Sequence, residues 1–88
     1  MTKFDLQSPT YTPQRFLAQV YDVLGISTDT AFTELTGYDS AMLSRLRSRK
    51  LRVPYSLMVY AALATGLQID AIYKLAGIPL PEFTRGKQ

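Results

Sequence analysis

Residues 31–46 read Ala31-Phe32-Thr33-Glu34-Leu35-Thr36-Gly37-Tyr38-Asp39-Ser40-Ala41-Met42-Leu43-Ser44-Arg45-Leu46. Phe32 and Leu35 lie three apart, and Leu43 and Leu46 repeat that spacing beyond Gly37. Apolar residues three apart share one face of a helix. The stretch therefore predicts two short helices joined by a tight turn, with Gly37 supplying the left-handed backbone. Ser27 or Thr28 caps the first helix, Asp29 sits favourably in its first turn, and Thr36 ends it. Phe32 and Leu35 are expected to face inward. Two turns are too few to stand alone, so tertiary packing must hold this helix.

The second helix, expected over about residues 40–49 with Asp39 or Ser40 as cap, has two different sides. At 100° per residue, Leu43 and Leu46 share one face, with Met42 at its edge. Ser40, Ala41, Ser44, Arg45 and Ser48 share the opposite face, and Arg47 and Arg49 lie on the flanks. Residues 45–52 place Arg45, Arg47, Arg49, Lys50 and Arg52 together without one acid. A helix that enters the DNA major groove needs an apolar face to lock it, small residues that allow close approach, and cations at its margins. This helix meets all three conditions. Arg45, the one long donor on the outer face, is expected to reach guanine, while Ser40, Ala41, Ser44 and Ser48 are small enough to let the helix sit deep. Arg47, Arg49, Lys50 and Arg52 are expected to grip phosphates, and Tyr38 and Tyr55 are the tyrosines best placed to add a phosphate hydrogen bond.

Working outward, Thr12-Pro13 opens an earlier helix in which Phe16, Leu17, Val20, Val23 and Leu24 form the apolar stripe and Gly25 marks the end. Pro54 starts a fourth helix, apolar nearly all round, that stops at Gly66. A short fifth helix near residues 69–76 ends at Gly77 and Pro79. The expectation is an all-α, compact five-helix domain over residues 12–78. Residues 1–11 are read as a flexible arm, with Phe4 and Leu6 as candidate anchors, in preference to an arm that packs on the core or touches DNA, and a tail over 79–88 follows.

Composition narrows the function classes. The 88 residues are 47% hydrophobic and 19% charged, with net charge +3, which fits one globular domain. Without cysteine or histidine, the chain lacks thiol nucleophiles, Cys–Zn sites and the usual base near neutral pH. The expectation is a non-enzyme with no cofactor, no metal and no evident small-molecule ligand. No run is apolar for the roughly 18–20 residues a membrane span needs. Met1-Thr2-Lys3-Phe4-Asp5 is not a signal segment, so a cytoplasmic, nucleoid-associated location is expected. Asp29 and Glu34 are read as a solvated face, and Lys74 lacks a recognisable partner.

The quoted stretch resembles the helix-turn-helix of Cro/lambda-repressor-like (Xre-type) regulators. Leu35-Thr36-Gly37-Tyr38 matches the family's turn, and Leu43-Ser44-Arg45-Leu46 matches its recognition helix. The resemblance continues through Val53-Pro54, Ala64-Thr65-Gly66 and Leu67-Gln68-Ile69-Asp70, covering about residues 12–77. Thr33 departs from the usual Ala, and Tyr38 is larger than the usual turn residue. The resemblance implies a lambda-repressor-like fold that binds double-stranded DNA at a palindromic operator as a homodimer, in repression or activation. By position it assigns base contacts to Ser40, Ala41, Ser44 and Arg45, and a capping role to Asp39. The apolar surplus of the fourth helix has two readings: it is the central core helix of the domain, or part of it, with the fifth helix and Phe83, forms an isologous dimer contact. The rival expectation is a protein-interaction module that keeps this fold without binding DNA.

Overall fold

A computed structural model of the chain describes residues 5–80. Five helices follow in order: α1 (Pro13–Leu24), α2 (Asp29–Thr36), α3 (Ser40–Arg47), α4 (Tyr55–Thr65) and α5 (Ile69–Ala76). No strand occurs among the described residues, so the all-α expectation holds. α1 packs on α3, α4 and α5, α4 packs on α5, and α2 packs on α3. Phe16, Leu17 and Val20 of α1 meet Leu43, Leu46, Leu57, Met58, Ala61 and Ile72 in one apolar core. No single helix is long and apolar enough to cross a membrane, and α4 meets α5 at a bend of 116°. Phe4 and Phe83 lie outside the described residues, as does the tail beyond Leu80.

Phe32 fixes the angle of the short helix α2. Its ring lies 5.1 Å from that of Tyr21, stacks on Tyr38 at 6.1 Å and meets the edge of Tyr60 at 6.1 Å. Aromatic pairs at such separations add to the area they bury. Thr28 caps α2 by accepting from the Ala31 amide at 3.1 Å, as expected. Leu35 does not turn inward; it is 55% exposed. Phe32 alone of α2 is buried, and the neighbours that cover it do not extend one turn further to Leu35 on the same side. Val23 likewise leaves the expected stripe of α1 and is exposed.

The segment before α1 belongs to the core. Tyr11, expected in a flexible arm, is fully buried. Its hydroxyl donates to the Leu51 carbonyl at 2.7 Å and accepts from the Val53 amide at 3.0 Å. The Thr12 side chain does not cap α1. Its hydroxyl donates to the Leu75 carbonyl at 3.0 Å, and its amide donates to the Ala76 carbonyl at 2.8 Å. Thr12 therefore satisfies the open carbonyls at the end of α5, and Pro13 starts α1 without a side-chain cap.

Candidate nucleic-acid interface

Helix α3 is locked from behind by Leu43 and Leu46, both fully buried, with Met42 half-buried against the core. Ser40, Ala41, Ser44, Arg45 and Ser48 are exposed, so the outer face sits where periodicity places it. Ser48 spends its hydroxyl on its own helix, bonding the Ser44 and Arg45 carbonyls at 3.1 and 3.3 Å. Asp39 occupies the cap position of α3, but its side chain makes no capping bond. The helix ends at Arg47, two residues before the expected Arg49. Arg49 takes a left-handed backbone with φ of 62°, which turns the chain away.

The five clustered cations divide into two groups. Lys50 and Arg52 are exposed beyond the end of α3, and Arg45 stands on its outer face. Among the described residues, neither Arg45 nor Lys50 has an acid within ion-pair reach. Arg47 and Arg49 are bound within the protein. Arg47 pairs with Asp29, Nη2 to Oδ1 at 2.7 Å and Nε to Oδ2 at 3.4 Å, and lies 5.5 Å from the centre of the Tyr21 ring. Tyr21 donates its hydroxyl to the same Asp29 carboxylate at 2.6 Å. Arg49 donates to the carbonyls of Ser8 and Tyr11. The expected phosphate roles of Arg47 and Arg49 therefore meet side chains already engaged elsewhere. Asp29 is an ion-pair partner and not a merely solvated acid.

The electrostatics of this group follow from its contacts. The Arg47 hydrogen bond holds the Asp29 carboxyl below its ordinary range, against the opposing effect of burial and with help from Tyr21. The Asp29 bond in turn raises Arg47. Burial, then the Asp29 contact, pushes the Tyr21 phenol up to about 12, with Arg47 opposing. Tyr11 is raised chiefly by burial.

Tyr38 is half-buried and donates its hydroxyl to Ser56 Oγ at 3.2 Å, at the start of α4. Tyr55 is 60% exposed beside it. Sequence reasoning passed over Gln14, whose Nε2 donates to the Arg47 carbonyl at 2.7 Å, and the partnership of Asp29 with Arg47. Periodicity carries no signal for either, because both bridge elements far apart in the chain. Among the described residues, no group of acids could hold a metal ion.

Comparison with protein-family models, characterised proteins and solved structures finds no match.

Proposed function

We propose that this protein binds double-stranded DNA sequence-specifically through α3 and acts as a non-catalytic transcriptional regulator. One observation carries the reading: α3 turns out a face of small residues around a single exposed guanidinium, Arg45, with Lys50 and Arg52 beyond its end and no acid between residues 40 and 52. Small residues let a helix approach base edges, and a lone arginine there suits guanine O6 and N7. α2, the three-residue turn and α3 then act as a helix-turn-helix, in keeping with the resemblance to Cro/lambda-repressor-like regulators. The regulator works at the nucleoid.

Two copies are needed to read a palindromic site, with their reading helices about 34–36 Å apart. The outer face of α4 is the pairing surface in this reading. Tyr55, Val59 and Leu63 follow one another at four-residue spacing, and Leu63 is 81% exposed. Residues 53–69 carry no charge. Pairing across a two-fold axis brings like groups together, so an uncharged face suits it and the basic face around α3 does not. A helix of 11 residues offers a small footprint, so pairing is weak in solution and completed on DNA.

The rival reading, a protein-interaction module on the same fold, draws on the internal engagement of Arg47 and Arg49. That engagement leaves Arg45 and Lys50 without an ion-pair partner among the described residues, and on the DNA reading the salt slope is then about −2 per chain. Selection from a random duplex pool at two salt concentrations decides between them. Enrichment of a palindromic motif is the expected result. No retention even at low salt overturns the DNA reading in favour of the rival.

A further inference from the structure

Four of the five helices end on a glycine in the left-handed region: Gly25, Gly37, Gly66 and Gly77. α3 is the exception. The Lys50 amide reaches back to the Arg45 carbonyl at 2.9 Å, and the Arg49 amide to the Leu46 carbonyl at 3.1 Å. That pair of bonds is the Schellman ending, and it puts Arg49, with φ of 62°, in the position glycine usually holds. A side chain there strains the backbone. An outlier of this kind points to a use for the side chain.

The use is visible in what the side chain grips. Arg49 Nη2 donates to the Ser8 carbonyl at 3.0 Å and to the Tyr11 carbonyl, and its Nε is buried. The N-terminal segment and the first turn of α1 answer in kind. Gln14 donates to the Arg47 carbonyl at 2.7 Å, Gln7 to the Arg49 carbonyl at 3.1 Å, and Tyr11 to the Leu51 carbonyl at 2.7 Å. Three alternate carbonyls at the end of α3 and just past it are thus satisfied by side chains from 33 to 42 residues earlier, where a free helix end would leave them to water.

We propose that Arg49 is a positioning residue: it locks residues 7–11 behind the last turn of α3, sets the angle at which α3 meets DNA, and does not itself touch DNA. This rests on the DNA-binding reading. The two buried leucines hold α3 at two points on one face, and the brace fixes its C-terminal end and the path of Lys50 and Arg52.

The test compares the parent protein with Arg49→Gly, Arg49→Lys and Lys50→Ala. Each is measured with a short mixed-sequence DNA duplex over a range of salt, at a temperature where circular dichroism shows each protein folded. Arg49→Gly keeps the helix ending and relieves its strain, so it removes the side chain's grip alone. The expected result is an affinity loss of about tenfold, the worth of a charge-assisted hydrogen bond. The salt slope stays as in the parent, Arg49→Lys recovers part of the loss, and amide exchange at Ser48 and Lys50 quickens. Lys50→Ala, by contrast, lowers the slope by about one. A slope lowered by about one in Arg49→Gly makes Arg49 a phosphate contact and overturns the proposal. So does unchanged affinity, the mark of a residue that serves stability alone. If Arg49→Gly does not fold, Arg49→Lys is judged on the same slope: parental slope with reduced affinity supports the brace, and any other pattern overturns it. Failure of the parent protein to bind at low salt is a different result, seen before any variant, and removes the DNA reading on which the proposal stands.

Discussion

The Arg47 guanidinium lies 2.7 Å from the Asp29 carboxylate, and this ion pair ties the last residue of α3 to the first residue of α2. Tyr21 of α1 bonds the same carboxylate, so three helices converge on it. The relative placement of α2 and α3 depends on this point and on Phe32.

The group makes stability depend on pH at both extremes. Asp29 titrates below its unfolded value of 3.8, so its contribution is complete above that pH and is lost as pH falls through the lowered folded value. Tyr21 is raised from 10.0 to about 12, so its contribution is complete below pH 10 and is lost as pH rises toward 12. Both partners of the ion pair are partly exposed, at 39% and 32%, which limits the pair to about 0.5–1 kcal/mol. Denaturant melts of Asp29→Asn at several pH values should show that loss at pH 7 and a smaller one at pH 3. Equal losses at both would mean the charge is not the source.

Gly77 and Gly37 should respond differently to alanine. Both have positive φ, but a Cβ at Gly77 would lie 1.7 Å from the Thr10 carbonyl oxygen, whereas one at Gly37 meets nothing within 4 Å. Gly37→Ala should cost only the strain, about 1 kcal/mol. Gly77→Ala must also part the N-terminal segment from the end of α5, and should cost more than about 3 kcal/mol. Chemical denaturation of the two variants gives the comparison, and similar losses would contradict the close approach.

Thr33→Ala should stabilise the protein. The Thr33 hydroxyl oxygen is buried without a hydrogen-bond partner among the described residues. Leaving such a group unsatisfied costs about 1–3 kcal/mol, and alanine is also the better helix former. A gain in melting temperature is expected, and a fall would show that the methyl packing of Thr33 outweighs its orphaned oxygen.

Arg45 and Lys50 should separate on DNA. Arg45→Ala should lose about 1–3 kcal/mol on the selected duplex and little on random duplex. Lys50→Ala should weaken both alike. Binding isotherms on the two duplexes check this, and parallel losses for both variants would remove Arg45 from the base-reading role.

Leu63→Glu places a charge on the uncharged face of α4. Because Leu63 is 81% exposed, the melting temperature should hold. Self-association at high protein concentration, followed by sedimentation, should weaken, and so should cooperative binding to a two-half-site duplex. Unchanged association would place the pairing surface elsewhere.

The five helices, the glycine ends of four of them and the two-sided character of α3 were legible in the sequence. Each follows from forces between residues three or four apart, and such short-range periodicity survives without knowledge of the fold. Leu43 and Leu46 inside, with Ser44 and Arg45 outside, is that periodicity directly. The fates of Leu35 and Tyr11 were not legible, because burial depends on which neighbour arrives from elsewhere in the chain. The same holds for the cations. Sequence alone determined that five of them cluster over residues 45–52. Only tertiary structure decided that Arg47 turns to Asp29 and Arg49 to the carbonyls of Ser8 and Tyr11, because partners 18 to 41 residues away meet them only once the helices have packed.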